Sequence, residues 1–129
     1  MQKRVRMEDT DATGFIYFTS LQKMAVEVLE EFLEKTPYAS HKLLLEGAFL
    51  LPIGHVEASY LVPIALGDLL EISFQLMKVG NSSFELHYIF YKKEHIVAEI
   101  TMVHAAIAKE TKKSIALPKD FIQLFQKMK

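Results

Sequence analysis

The chain has 129 residues, 50% hydrophobic and 24% charged, with a formal net charge of −1 and no cysteine. That length suits one buried core, read as a single domain over residues 1–129; the mixed charge favours no nucleic-acid partner, and the lack of cysteine excludes disulfides, thiolate nucleophiles and Cys-ligated metal. No apolar run approaches the roughly 20 residues of a membrane span, and no apolar stretch follows the basic start Met1–Arg6, so the expected location is the cytoplasm.

The segment from Lys3 to Met7 is predicted as an edge strand. A helix is predicted from Thr19 to Lys35, because Leu21, Met24, Ala25, Val28, Leu29, Phe32 and Leu33 draw one apolar stripe at helical spacing. Thr19 and Gln22 fit a capping box, and Thr36-Pro37 is a stop. Glu27 and Glu30 fall on its polar face. The stretch from Pro37 to Gly47 reads as a connecting loop. From Ala48 to Lys109 the sequence reads as strands. Val56, Ala58, Tyr60 and Val62 alternate with polar neighbours, as do Leu70 to Leu76 and Phe84 to Phe90, and Ile96 to Ala108 is a fourth long run. Period two over such lengths indicates antiparallel strands with one face on a core. Gly80-Asn81-Ser82 and Lys92-Lys93-Glu94 are the hairpin connections. Pro118 opens a short helix with Phe121, Leu124, Phe125 and Met128 on one side. One long helix against an antiparallel sheet is an α+β layout.

Several chemistries lack their signatures. There is no Gly-x-Ser-x-Gly elbow, no phosphate-cradling glycine loop and no dinucleotide fingerprint. The five histidines show no close metal-ligand spacing, so neither metal nor cofactor is expected. What remains is Glu8-Asp9-Thr10-Asp11-Ala12-Thr13-Gly14-Phe15-Ile16-Tyr17-Phe18, just before the long helix. Helix-start N–H groups suit an oxyanion, and a nearby carboxylate can attack a carbonyl or deprotonate water. Asp and Gly before a helix also serve as plain turn and capping chemistry, and spacing alone does not decide between the two. Asp9 fits the plain role better. His55 fits either polarising a substrate or packing; His87 and His104 fit packing.

The run from Arg4 to Phe18, with its Asp-x-Asp-x-x-Gly core at Asp9, Asp11 and Gly14, resembles the opening of the 4-hydroxybenzoyl-CoA thioesterase family of hotdog proteins. The resemblance spans nearly the whole chain and implies a hotdog fold and acyl-CoA hydrolysis. It implies Asp11 as the catalytic carboxylate, the backbone N–H of Phe18 as oxyanion donor, and Gly14 and Tyr17 beside the substrate. It implies too that Ile53, Gly54, His55 and Glu57 close the site from a neighbouring subunit, in a homodimer and a homotetramer. Leu51-Pro52-Ile53 with His55, and Gly67-Asp68-Leu69-Leu70-Glu71, are similar to the 1,4-dihydroxy-2-naphthoyl-CoA hydrolase subgroup. Two departures stand out. Thr13 replaces the small residue usual before the glycine, and Asn81 and Ser82 replace hairpin cations that hold CoA phosphates, leaving Lys78 as the nearest cation. The alternatives are a short- or medium-chain acyl-CoA or acyl-carrier-protein thioesterase, a hotdog hydratase or dehydratase, and a non-catalytic acyl-ligand binder.

Overall fold

The computed structural model describes residues 1–127. Strand β1 (Gln2–Arg4) and a 3-10 turn over Met7–Asp9 open the chain, followed by helices α1 (Phe18–Leu33) and α2 (Ser40–Glu46). Then come strands β2 (Phe49–Leu50), β3 (Ile53–Tyr60), β4 (Leu69–Val79), β5 (Ser83–Lys92), β6 (His95–Ala105) and β7 (Ile107–Ala108), and helix α3 (Lys119–Gln126). Five strands make one antiparallel sheet in the order β1-β4-β5-β6-β3, and β2 pairs with β7 separately.

The predicted stripe is the buried face of α1: Leu21, Met24, Ala25, Val28, Leu29 and Leu33 lose nearly all their exposure. They join the inward side chains of the sheet, among them Leu70, Ile72, Leu86, Tyr88, Phe90 and Ile100, in one core. Burying one such side chain contributes roughly 1.5–3 kcal/mol, which outweighs propensity differences of less than ~1 kcal/mol per residue. Packing therefore decides where this helix lies. On α3, Phe121 and Phe125 are buried and stand 5.4 and 5.5 Å from the Phe84 ring. Met128, expected on the same face, lies outside the described residues.

Several boundaries differ from the sequence reading, each for a local reason. The expected edge strand from Lys3 to Met7 stops at Arg4, because Val5 N–H bonds Asp68 O at 2.8 Å and the chain then winds into the 3-10 turn. No Thr19–Gln22 capping box forms. Tyr17 stands at the helix entry with no side-chain cap, and its N–H donates to Asp9 O at 2.7 Å. The Ser20 hydroxyl donates to that same carbonyl at 3.0 Å. Backbone and Ser20 thus fix the entry, and α1 begins at Phe18.

The expected loop after Pro37 contains α2, of which only Leu43 is buried. Strand β3 ends at Tyr60, since Leu61 and Val62 both donate their N–H to Val97 O. The last long run breaks at Ala106, whose N–H turns to Ser82 O at 2.7 Å and leaves β7 as a separate piece. Both predicted hairpins are present. Gly80 N–H bonds Ser83 O at 2.7 Å, and Lys93 takes φ 58° in the tight turn between β5 and β6.

Candidate active site

The Asp11 loop is built almost entirely from backbone bonds. Asp11 N–H donates to Phe15 O at 3.0 Å, and Gly14 N–H donates to Asp11 O at 3.1 Å. Closing that turn needs φ +83° at Gly14, a conformation natural to glycine. The loop is then stitched to the segment after β3: Ile16 N–H bonds Ile64 O at 2.7 Å, and Leu66 N–H bonds Gly14 O at 3.0 Å. Asp9 is the structural member of the motif. It is 7% exposed, and its Oδ2 accepts Arg6 N–H at 2.9 Å while its carbonyl receives Tyr17 and Ser20. The two carboxylates of the motif therefore have separate tasks, one tying the loop to the helix entry and the other left in the open.

Asp11 itself is exposed. Its Oδ1 accepts the Thr13 N–H at 2.8 Å and also the Thr13 hydroxyl. These bonds, the hydroxyl's first, hold the Asp11 pKa below its ordinary value, because both favour the charged carboxylate. Among the described residues nothing bonds Oδ2, so one oxygen is held and the other is available. Thr13, a departure from the family pattern, turns out to touch the carboxylate directly.

At the start of α1, the Phe18 N–H has no acceptor among the described residues. It therefore keeps a hydrogen bond to offer at the positive end of a sixteen-residue helix. Phe18 and Tyr17 are exposed at 62% and 46%, a large apolar surface beside a polar loop. The Phe18 carbonyl is fixed from the far side by the hydroxyl of Tyr60 on β3. Sequence reading gave Tyr60 no role beyond alternation; its bond to the helix start is a tertiary contact with no local sequence signal.

The residues expected to close the site divide between the two faces of the sheet. Ile53 lies opposite His104 on β6, and a register shift at Gly54 puts His55 opposite Val103 and Glu57 opposite Thr101. His104 and Met102 are buried against the helix side, whereas Val103 and Thr101 are on the outer face. Cross-strand partners share a face. Ile53 and Tyr60 thus belong with α1, and His55 and Glu57 stand on the outer face, paired with each other at 2.8 Å. Within one chain, then, Asp11, Gly14, Tyr17 and Phe18 come together, and His55 and Glu57 do not join them. Among the described residues no group of three His, Asp or Glu side chains is placed to hold a metal ion.

A single α1 lying on an antiparallel sheet, with an Asp loop leading into it, defines a hotdog thioesterase architecture. The model of the Thioesterase-like superfamily matches residues 5–125, and the chain belongs to that superfamily. It is 33% identical over 124 residues to the 1,4-dihydroxy-2-naphthoyl-CoA hydrolase of Prochlorococcus marinus (strain MIT 9515), covering 92% of this chain and 82% of that protein. It is 34% identical over 125 residues to the protein of the same name from Synechococcus sp. (strain WH7803), with the same coverage. A crystal structure of a 1,4-dihydroxy-2-naphthoyl-CoA thioesterase from Synechocystis superposes with a TM-score of 0.87 at 24% identity, over 98% of this chain and 93% of that one. No helix of the described residues is long and apolar enough to cross a membrane.

Proposed function

We propose that this thioesterase hydrolyses an aromatic acyl-CoA, 1,4-dihydroxy-2-naphthoyl-CoA, to the free acid and CoA, with Asp11 as its catalytic carboxylate. The observation that carries the reading is the Asp11 loop itself. One carboxylate oxygen is held by Thr13, the other is available, and the loop is tied through Asp9 to the α1 start, where the Phe18 N–H is unspent. The acyl group is suggested by the names of the curated relatives.

An aspartate is ionised at neutral pH, and with Oδ1 held by Thr13 the Oδ2 of Asp11 is the atom left for direct attack. In the step that follows from this, Oδ2 bonds to the thioester carbonyl carbon and the carbonyl oxygen becomes an oxyanion facing Phe18 N–H. Collapse breaks the C–S bond and CoA leaves as the thiolate. Water then hydrolyses the mixed anhydride, releasing the acid and restoring the carboxylate. One oxyanion donor is worth about 10²–10³ in rate.

The site is read as composite. Strand β3 is the sheet's edge, and its eight residues are exposed at all positions but Val56. An exposed edge is a template for another strand. If β3 pairs antiparallel with β3 of a second copy about Glu57, Val56 falls opposite the other copy's Ala58, and the irregular Ile53–Gly54 pair reaches the other copy's Tyr60, which touches Phe18. Each copy then brings Ile53 and Gly54 to the other's Asp11 loop. We read the assembly as this homodimer, doubled to a homotetramer, in the cytoplasm, each chain one domain working without cofactor.

The test is CoA release from four thioesters: 1,4-dihydroxy-2-naphthoyl, hydroxybenzoyl, a short acyl chain and a long one. The dihydroxynaphthoyl thioester should give the highest kcat/KM. A clear preference for an aliphatic chain would overturn the substrate, and no release from any would overturn the activity.

A further inference from the structure

An oxyanion donor works only if its N–H is already aimed when charge develops on the substrate. Phe18 stands where such aim is hardest to keep. It is the first residue of α1, its side chain is exposed, and no side chain caps the helix at Tyr17. Thr19 beside it is exposed as well, and burial begins only at Ser20. Helix ends fray, so a donor here needs ties of its own.

Those ties act on the two peptide planes that flank Phe18. The plane that carries the Phe18 N–H also carries the Tyr17 carbonyl, which accepts the Ser20 N–H at 3.0 Å. The plane on the other side carries the Phe18 carbonyl, which accepts the hydroxyl of Tyr60 on β3. With both planes tied, the two soft dihedrals of Phe18 are fixed, and with them the direction of its N–H. The first tie is local to the helix start. The second spans 42 residues of sequence.

The place of Tyr60 in the fold suits this contact. It is the last residue of β3 and lies opposite the buried Ala98, so its ring is on the helix side. Leu61 and Val62 then both donate to Val97 O, which ends the strand at a fixed corner. The ring is 41% exposed, so packing alone accounts poorly for a tyrosine here. Hydrogen-bond satisfaction does not account for it either. A first-turn carbonyl already accepts the N–H four residues on, and the Phe18 oxygen needs no second donor. What the hydroxyl adds is position. Partial burial raises the Tyr60 pKa, so the phenol keeps its proton at neutral pH.

We infer that Tyr60 is a positioning residue for this reaction: by holding the Phe18 carbonyl, its hydroxyl aims the Phe18 N–H at the oxyanion formed when Asp11 attacks. This rests on the thioesterase reading above. Two variants test it. Tyr60→Phe keeps the ring and removes only the donor, whereas Tyr60→Leu removes both. On the best thioester, Tyr60→Phe should lower kcat about tenfold and leave KM unchanged, and Tyr60→Leu should lose no less. That loss is smaller than the roughly 10²–10³ of a missing donor, because the N–H is still present but no longer held. A contact made only in the transition state lowers kcat without moving KM, which a general loss of folded protein or of substrate affinity does not reproduce.

Full kcat in Tyr60→Phe, with loss only in Tyr60→Leu, would make the ring the functional part and overturn the role of the hydroxyl. A loss expressed in KM, or a fall to monomer in a mass measurement, would overturn it too, since the hydroxyl would then serve binding or assembly. A second readout needs no turnover. In 15N-labelled protein the Phe18 amide resonance should shift and broaden in Tyr60→Phe, while the Ser20 amide, tied locally to Tyr17 O, stays as in wild type. An unmoved Phe18 amide would sink the idea. The two failures are distinct: wild type that hydrolyses no thioester brings down the thioesterase reading, whereas normal turnover with an unmoved amide brings down Tyr60 alone.

Discussion

Strands β5 and β3 both pair with β6, yet they meet their surroundings in opposite ways. Along β5, Phe84, Leu86, Tyr88 and Phe90 are sealed against the helix side, and the alternate residues are half-buried on the other. It has a neighbour on each edge and is finished within one chain. Among the described residues β3 has β6 on one edge and no strand on the other, and it carries small or polar residues such as Gly54, Ala58 and Ser59. The lesson is that β5 is completed within one chain, whereas β3 leaves open the edge on which the proposed pairing of two copies rests. The Asp11 loop sits beside the unfinished strand, through the Tyr60–Phe18 contact.

The largest way to sharpen that contrast is Phe84→Ala. It should cost about 3–5 kcal/mol in urea unfolding, because the ring is buried among Phe121, Phe125 and His104. Gly14→Ala should cost about 1–2 kcal/mol from the left-handed strain alone, with no clash to add, and should lower turnover by displacing Asp11. Ala58→Lys with Ser59→Lys on β3 should change the unfolding of the monomer by less than ~0.5 kcal/mol. Light scattering should nevertheless show the dimer lost, and activity with it. A monomer with full activity would break the comparison. Separating His55 from Glu57 by His55→Ala should cost only ~0–1 kcal/mol, as the pair is exposed on the outer face.

The smallest effect concerns pH. Thr13 holds the Asp11 pKa down, so the ionised form is favoured and persists into more acidic solution. Thr13→Ala removes the larger cause, the side-chain bond, and raises that pKa toward its ordinary value. The acid-side fall in kcat/KM should therefore move to higher pH. A shift to lower pH, or none, would mean that Thr13 does not govern the carboxylate.

Much of this was legible in the sequence, in the places where burial writes a period. The α1 stripe and the alternation in β4, β5 and β6 are direct consequences of one face meeting a core. Helix α2 was not legible, since seven residues with one buried leucine carry no stripe and such short helices depend on tertiary packing. The capping box at Thr19 and Gln22 was plausible chemistry displaced by a better arrangement, in which Asp9 O takes Tyr17 N–H and the Ser20 hydroxyl together. For the site, the motif marked Asp11, Gly14 and Phe18 because they are contiguous. It could not mark Tyr60, which is 42 residues away. Nor could it show the register shift at Gly54, which puts Ile53 on the helix side although strict alternation would leave it with His55 and Glu57 on the outer face.

The most direct test of the account is the turnover of Asp11→Asn on the best thioester, beside wild type, with melting temperature and oligomer mass measured on the same samples. Asp11 is exposed and outside the core, so the variant should melt within a few degrees of wild type and keep its mass. Its kcat should fall by a factor of at least about 10³, because the amide neither attacks the carbonyl nor activates water. Turnover within about tenfold of wild type in a properly assembled variant would contradict the assignment of Asp11 as the catalytic carboxylate.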